Sequence, residues 1–321
     1  MMTIPVPVHV PVLLQEVMDH LILPPAARIL DLTLGLGGHA EALLAHADVE
    51  ARYLGVDRDP EARALAAQRL GHDARLSILA GTYEELWEDP HFLAWRTAQA
   101  PEGFDAILAD LGVSTLQLRT PERGFSFRDE GPLDMRMDPE HGLSARAWIA
   151  EQTDESLADA IYQYGEERAS RPISRAILRA LHEDRLATTR DLARAVYSVI
   201  PREPAKRKGH SDPATRTFQA IRIAVNGELD RLADSLESAV SQLRPGGRLA
   251  VISFHSLEDR IVKQTLRRLA GIYDGPGRTA PVELPKVLKL IRAGGLAPSE
   301  AEAAANPPSR SARLRVAERL P

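Results

Sequence analysis

Short apolar runs alternate with longer segments rich in Ala, Leu and Arg over roughly the first third of the chain. The run from Ala106 to Ala109 is apolar without a break, which is typical of a parallel strand buried on both faces. Strand followed by helix, repeated in this way, predicts a doubly wound α/β fold with a mostly parallel sheet. We predict strands at 28–32, 53–57, 76–79 and 104–110, and helices at 40–47 and 60–70.

The alternation stops after Leu118, and residues 144–198 have a helical period without strand-like runs. Strand character returns at 248–253, after a turn at Arg244-Pro-Gly-Gly247, and a helix follows at 257–269. Residues 301–308 look like a linker, and the alternating segment 312–317 predicts a last strand. We therefore predict one α/β domain, residues 1–117 plus 223–321, which is interrupted by a helical insertion at 118–222.

The composition of the chain excludes several classes of chemistry. The chain has no cysteine, which excludes disulfides, thiolate metal ligands and a thiol nucleophile. No metal-ligand cluster is evident, so no metal is expected. The N-terminus lacks the features of a signal peptide, and no apolar stretch is long enough for a membrane span. These features predict a cytoplasmic protein without a membrane partner.

Charge is uneven inside the predicted insertion, although the whole chain carries only −5. Residues 118–167 contain 5 Arg and 12 acidic residues, a net charge of −7. Residues 168–222 contain 13 basic and 5 acidic residues, a net charge of +8. A charge run of this kind is usually a solvated surface, but it also suits a surface that contacts phosphates.

A glycine-rich segment, Asp31-Leu-Thr-Leu-Gly35-Leu-Gly-Gly-His-Ala40, follows the first predicted strand. Glycines at this place let the backbone approach a nucleotide-like ligand. The spacing also fits a dinucleotide fingerprint, and Asp57, after the second strand, suits ribose hydroxyls under either interpretation. These features predict a nucleotide-type site without choosing the cofactor, so an NAD(P)-dependent oxidoreductase stays an alternative.

Three further features favour S-adenosylmethionine. The carboxylate of Asp31 stands just before the glycines, where it would attract a cationic ligand and repel a pyrophosphate. Tyr83 follows the third strand and offers a ring on which adenine can stack. Asp110 ends the fourth strand, and the carboxyl ends of strands line the ligand crevice in such sheets.

The chain closely resembles the RsmH (MraW) family of 16S rRNA cytosine N4-methyltransferases. The resemblance runs nearly from end to end, and the Ser253-Phe-His-Ser-Leu-Glu-Asp-Arg260 string is especially distinctive. The other matching strings include His9-Val-Pro-Val-Leu-Leu-Gln-Glu16, Gly35-Leu-Gly-Gly-His39, Gly55-Val-Asp-Arg-Asp-Pro60, Asp110-Leu-Gly-Val-Ser114, Glu122-Arg-Gly-Phe-Ser-Phe127, Gly131-Pro-Leu-Asp-Met-Arg-Met-Asp138, Tyr164-Gly-Glu-Glu-Arg168, Thr215-Arg-Thr-Phe-Gln-Ala220 and Leu314-Arg-Val-Ala-Glu-Arg319.

The resemblance implies a class I, Rossmann-like methyltransferase fold with an inserted helical domain. It also implies S-adenosyl-L-methionine as the cofactor and cytosine 1402 of the 16S rRNA, within the small ribosomal subunit, as the target. Matched motif to motif, the family's cofactor contacts fall on Gly37, Gly38, His39, Asp57, Tyr83, Asp110 and Gln117.

The absence of cysteine decides between two positions of attack on cytosine. Methylation at C5 would need a covalent thiol nucleophile, so attack by the exocyclic N4 is the consistent choice. Direct transfer needs mainly positioning and an acceptor that polarises the N–H bond. Asp110 is the first catalytic candidate, and Ser253 and His255 follow the returning strand at the same edge, although core or capping roles suit them equally well.

An RNA substrate requires local basic surface on this acidic chain. Arg168, Arg171, Arg175 and Arg179 recur at helical spacing, and the C-terminal arginines 310, 313, 315 and 319 extend the candidate surface. Some of these arginines are expected to pair with the acidic half of the insertion. A non-enzymatic RNA-binding assembly factor would show the same surface. The predicted RNA contacts are Arg168, Arg171, Lys206, Arg207, Lys208 and Arg216.

Overall fold

The computed structural model describes residues 10–202, 212–273 and 284–321. Its strands form one seven-stranded sheet in the order β3-β2-β1-β4-β5-β7-β6. Neighbours among β1 to β5 are parallel, whereas β7 is antiparallel to both β5 and β6. The bounds are β1 Arg28–Asp31, β2 Arg52–Asp57, β3 Leu76–Ala80, β4 Phe104–Asp110, β5 Leu243–Ser253, β6 Leu288–Leu290 and β7 Arg313–Arg319.

The α-helices of the described residues are α1 Leu14–His20, α2 Gly38–His46, α3 Pro60–Leu70, α4 Pro90–Gln99, α5 Thr115–Arg119, α6 Ala145–Ala150, α7 Asp154–Gly165, α8 Ser170–His182, α9 Thr189–Tyr197, α10 Ala214–Asn226, α11 Leu232–Gln242, α12 Ser256–Leu269 and α13 Glu300–Ala305. None of these helices has both the length and the apolar character needed to cross a membrane.

Two compact units make up the chain. The sheet unit comprises Met1–Gly112 with Leu229–Pro321, and the helical unit comprises Val113–Glu228. The predicted insertion, 118–222, falls inside the helical unit, whose limits lie a few residues further out. The helical period of residues 144–198 is confirmed, because α6 to α9 occupy this stretch.

Apolar clusters cover both faces of the sheet, which explains why the central strand β4 is apolar without a break from Ala106 to Ala109. Successive residues of β1 go to opposite sides: Ile29 joins one core cluster and Leu30 the other. In β4, Leu108 and Ala109 divide in the same way. The doubly wound, mostly parallel α/β fold is therefore confirmed. The helical unit has its own core, built around side chains such as Ile149, Ile161, Ile177, Val196 and Ile221.

The prediction of a linker at 301–308 was wrong. Residues 300–305 form α13, and Ser299 caps the helix by accepting a hydrogen bond from the Glu302 N–H. Glu302 also accepts a hydrogen bond from the Leu13 N–H at 2.7 Å, which ties this segment to the start of α1. The run of small alanines resembles a linker, but alanine is also the best helix former.

Two of the four C-terminal arginines, Arg315 and Arg319, are a second correction, whereas Arg310 and Arg313 are exposed. Arg315 is buried on β7 and makes a bidentate ion pair with Asp259 of α12, at 2.7 and 2.9 Å. Arg319 donates to the carbonyl oxygens of Ser241 and Leu243. Arg315 therefore holds a helix against the sheet, and Arg319 binds the chain just before β5, so neither side chain extends a basic surface.

Candidate active site

Three aspartates stand at the ends of adjacent parallel strands. Asp31 ends β1, Asp57 ends β2 and Asp110 ends β4. Because parallel strands end at the same edge, all three lie at the carboxyl edge of the sheet. β1 pairs with β2 on one side and with β4 on the other, so the strand order reverses at β1. Open α/β sheets bind their ligands at such a switch point.

Asp31 is the most deeply buried of the three, with 1% of its surface exposed. Its Oδ2 accepts a hydrogen bond from the Tyr53 hydroxyl at 2.8 Å, and its Oδ1 accepts from the Thr33 N–H at 3.0 Å. Burial raises the pKa of Asp31 from 3.8 to about 6, although these hydrogen bonds oppose the shift. The charged form of Asp31 is therefore less favourable in the folded protein than in water.

Asp57 organises the glycine-rich loop from the neighbouring strand. Its Oδ2 accepts a hydrogen bond from the Gly35 N–H at 2.7 Å, and its Oδ1 accepts from the Asp59 N–H at 2.9 Å. Asp59 in turn caps α3. Burial raises the pKa of Asp57 as well. A carboxylate has about four acceptor positions, so Asp57 keeps capacity for ribose hydroxyls.

Asp110 has the least satisfied carboxylate at this edge. Its Oδ1 is buried and accepts no hydrogen bond within the part of the chain that the structure describes. Its Oδ2 lies 3.7 Å from Nδ1 of His39. Burial, followed by the charges of Asp31 and Glu258, raises the pKa of Asp110 well above its ordinary value. An unsatisfied buried acceptor is costly unless a ligand supplies the donor or the cation.

The contacts of His39 determine which of its ring nitrogens carries the proton. Its Nε2 lies 3.1 Å from the carbonyl oxygen of Val12, which can only accept, so Nε2 must carry a proton. In the neutral ring Nδ1 then presents a lone pair to Asp110. The contact between His39 and Asp110 is attractive only when one further proton is bound to the pair, on the imidazole or on the carboxyl group.

The predicted cofactor glycines are required first by packing. Gly37 has φ 76°, and a Cβ atom there would lie 2.6 Å from Leu70 of α3. A Cβ atom on Gly38 would lie 2.6 Å from Pro11. The missing side chains therefore let α2 begin close to its protein neighbours. The role of these glycines in cofactor binding stays a prediction.

Ser253 and His255, the other catalytic candidates, have structural contacts. Ser253 is 1% exposed and its hydroxyl faces the carbonyl oxygen of Arg313 at 3.5 Å. Nδ1 of His255 accepts from the Glu258 N–H, and the Glu258 carboxylate accepts from the N–H groups of His255 and Phe254, so the three residues cap α12. The capping alternative is the one that these contacts favour.

Glu258 is a site residue that the sequence reasoning missed. It is 2% exposed, and its charge contributes to the raised pKa of Asp110. Its Oε1 lies 3.7 Å from the place where a Cβ atom would stand on Gly112, two residues after Asp110. The distinctive 253–260 string contained the signal, since it holds a carboxylate one helical turn beyond a strand end.

The two remaining predicted cofactor residues lie in different units. Tyr83 follows β3 in the sheet unit and is partly buried against its core. Gln117 belongs to the helical unit, where it is 4% exposed and shares a capping box with Ser114 at the start of α5. Contact of either residue with the cofactor stays a prediction.

The predicted RNA contacts are only partly described. Arg168, in the turn before α8, and Arg171, in the first turn of α8, are exposed, and neither makes an ion pair within the described residues. Arg216 is exposed but lies 3.8 Å from Glu167. Arg175 lies 3.9 Å from Asp154, which confirms that part of the charge is paired within the insertion. Lys206, Arg207 and Lys208 lie outside the described residues.

The site suits a cationic ligand. Asp31 and Asp110 are carboxylates at neighbouring strand ends, and neither makes an ion pair with a lysine or arginine within the described residues. A positive group between them would relieve the repulsion and favour their charged forms. Fold and site thus define an α/β protein whose β1–β4 switch point has the carboxylates that suit a nucleotide-like, positively charged ligand.

Comparison with known proteins identifies the family. The MraW methylase family matches residues 7–320. A ribosomal RNA small subunit methyltransferase H from Xanthomonas oryzae pv. oryzae is 48% identical over 321 residues, 99% of this chain and 91% of the relative. The protein of that name from Stenotrophomonas maltophilia is 47% identical over 313 residues, 97% and 93% of the two chains. A solved rRNA methylase from Streptococcus thermophilus aligns over 100% of both chains with 11% identity and a TM-score of 0.40.

The chain belongs to the MraW methylase family and is an S-adenosylmethionine-dependent methyltransferase. S-adenosylmethionine carries a sulfonium and an ammonium group. Its charge therefore fits the carboxylates of Asp31 and Asp110, and its ribose fits the acceptor capacity of Asp57.

The raised pKa of Asp31 predicts a trade-off between stability and binding. The folded protein holds a proton on Asp31 that the unfolded chain releases near pH 4, so stability is lost as pH rises from about 4 to about 6. At 1.36 kcal/mol per pKa unit, Asp31→Asn should stabilise the ligand-free protein by roughly 1–3 kcal/mol at neutral pH. The gain should vanish below about pH 4, where Asp31 is protonated in both states.

The measurement is chemical unfolding of Asp31→Asn and of the parent protein at the two pH values, together with calorimetric titration of S-adenosylmethionine. We expect higher stability and weaker cofactor binding in the same variant. A variant that is less stable at neutral pH and binds the cofactor normally would contradict this assignment.

Proposed function

We propose that this member of the family transfers a methyl group from S-adenosylmethionine to the exocyclic N4 of cytosine 1402 in 16S rRNA of the small ribosomal subunit. We assign the target atom from Oδ1 of Asp110. This oxygen is a buried acceptor that receives no hydrogen bond from the described residues. An amino group can satisfy it, because an amine has N–H donors and a ring carbon has none.

The cofactor supplies an electrophilic methyl group on a sulfonium. The chain would supply position and charge: Asp57 would accept from the ribose hydroxyls, Asp31 would face a cationic group of the cofactor, and Asp110 would hold the amine. As the N4–methyl bond forms, the sulfur–methyl bond of the cofactor breaks, and Asp110 would accept the proton that N4 loses. The amine lone pair is delocalised into the cytosine ring, so holding N4 close to the methyl group and polarising its N–H bond are the main requirements. The chain has no thiol for covalent attack at C5.

Asp110 is the stronger acceptor for the amine in its charged form, because a protonated carboxyl group has lost the negative charge and one of its oxygens has become a donor. Because its pKa is raised, acidification protonates it and weakens the acceptor. The positive charge of the bound cofactor opposes this effect. The rate of transfer should therefore rise with pH as Asp110 loses its proton.

The helical unit is the proposed RNA-recognition domain. Arg168 and Arg171 offer exposed guanidinium groups that make no ion pair with the residues the structure describes, and α8 continues the row with Arg175 and Arg179. Arginines at intervals of three or four residues follow one side of a helix, which suits a run of phosphates. With an rRNA substrate, we expect a role in ribosome biogenesis and a cytoplasmic location.

The direct test uses labelled S-adenosylmethionine and small subunits that lack the methyl group at the target. We expect one methyl group per subunit at cytosine 1402 and N4-methylcytidine as the product, as measured by mass spectrometry of the mapped nucleoside. 5-Methylcytidine would refute the chemistry. A protein that binds subunits and fails to transfer in a single turnover would act as an assembly factor instead.

Replacing Asp110 tests the acceptor. Asp110→Asn keeps the size of the side chain and removes the charge, so single-turnover transfer should fall by about 10²–10⁴-fold, the range for acid–base assistance. Subunit binding should change far less. Ser253→Ala serves as the control, because its hydroxyl faces Arg313, and it should retain near-normal transfer. A near-normal rate for Asp110→Asn would reduce Asp110 to a structural role.

Salt dependence tests the RNA surface. Arg168→Ala with Arg171→Ala should weaken subunit binding and reduce the slope of log affinity against log salt by about 0.7–0.9 per lost phosphate contact. Arg194→Ala is the matched control, since this exposed arginine of α9 is already paired with Asp191 at 3.1 Å. An unchanged slope in the double variant would place the RNA surface elsewhere.

A further inference from the structure

Tyr53 is a completely buried tyrosine in the middle of the sheet unit. It lies on β2 beside Ile29 of β1, and its ring belongs to the core on one face of the sheet. Side chains alternate along a strand, so Asp31, two residues after Ile29, points to the same face. The Tyr53 hydroxyl reaches it and donates to Oδ2 at 2.8 Å.

Phenylalanine would fill this part of the core without burying a hydroxyl. A buried hydroxyl is costly unless it has a hydrogen-bond partner, and the partner here is a carboxylate of the cofactor site. Burial, followed by the charge and the hydrogen bond of Asp31, raises the pKa of Tyr53 well above its ordinary value, so the hydroxyl stays neutral and remains a donor.

We propose that Tyr53 is a positioning residue for the cofactor site, whose hydroxyl keeps the Asp31 carboxylate charged and oriented toward the cationic part of S-adenosylmethionine. This inference rests on the proposed role of Asp31 in cofactor binding. Tyr53 touches no reacting atom and acts through Asp31.

The charges around Asp31 explain why a donor is needed. The carboxylate of Asp57 on β2 repels the carboxylate of Asp31, and the carboxylates of Asp31 and Asp110 on β4 also repel each other. Two nearby basic side chains face other groups: Arg63 of α3 donates to the carbonyl oxygen of Asp57, and Nδ1 of His39 of α2 faces Asp110.

The hydrogen bonds from Thr33 and Tyr53 lower the pKa of Asp31 and so oppose burial and repulsion. Thr33 belongs to the loop after β1, and its Oγ1 also accepts from the Asp110 N–H at 2.6 Å. Tyr53 is the donor that comes from the core. Removal of its hydroxyl leaves Oδ2 without that donor and makes the charged form of Asp31 harder to maintain.

The test is the pH dependence of cofactor affinity in Tyr53→Phe. A hydrogen bond to a carboxylate is worth about one pKa unit or more, so the midpoint for Asp31 should move from about 6 to about 7. Calorimetric titration with S-adenosylmethionine should then give a Kd roughly five- to eightfold weaker than the parent near pH 6, and less than twofold weaker above about pH 8.

A matched control exists in the helical unit. Tyr197 donates to Asp212 at 2.9 Å, so Tyr197→Phe also removes a hydroxyl from a carboxylate. This control should give the parent Kd at every pH. A Tyr53→Met variant, which also lacks the donor, repeats the measurement with a different core filler. Thermal unfolding verifies that each protein is folded at the titration temperature.

The outcomes separate the two assignments. If Asp31→Asn binds S-adenosylmethionine as the parent does, the proposed role of Asp31 fails. If Asp31→Asn binds weakly and the ratio of Kd values between Tyr53→Phe and the parent is the same at all pH values, Asp31 keeps its role and Tyr53 is only a core residue. A ratio that grows on acidification supports the inference.

Discussion

Burial of carboxylates at one edge of the sheet, together with the repulsion among them, is the constraint on which the rest of the site depends. Asp31 and Asp110 share this edge, and each is more stable when a proton or another cation accompanies it. Folding alone does not relieve this constraint, because the hydrogen bonds that Asp31 accepts offset only part of the free-energy cost of burying its charge. We propose that a positively charged cofactor relieves it, so that the stability lost by burying the carboxylates is recovered as affinity and selectivity for a cation.

The fold delivers these groups with little conformational freedom. Parallel strands bring residues that are distant in sequence to one edge, and the backbone ladders fix how far each strand extends. Asp57 connects the edge to the glycine loop through the Gly35 N–H, so the same side chain that suits ribose also sets the loop conformation. Close packing of Gly37 against Leu70 keeps the start of α2 in place. Catalysis by positioning benefits from this rigidity, since small displacements of reacting atoms are costly.

The sequence predicted the residues whose place follows from strand ends. Asp31, Asp57 and Asp110 each close an apolar run, so their common edge follows once the sheet is recognised. The hydrogen bond from Tyr53 was not predictable, because it depends on which face of β2 meets which residue of β1. Glu258 was missed because a carboxylate inside a helix ordinarily faces water, and only the capping of α12 turns it inward. The linker prediction failed where alanines form α13, since the tie between Glu302 and Leu13 spans nearly the whole chain.

Proton release on cofactor binding tests the central claim most directly. S-adenosylmethionine is titrated calorimetrically into the full-length protein near pH 6 in buffers of different ionisation enthalpy, and the number of exchanged protons follows from the dependence on buffer. Because a bound cation favours the charged carboxylates, the account predicts release of about half a proton or more per cofactor, and less release as pH rises above 8. Binding without proton exchange, or with proton uptake, would contradict it.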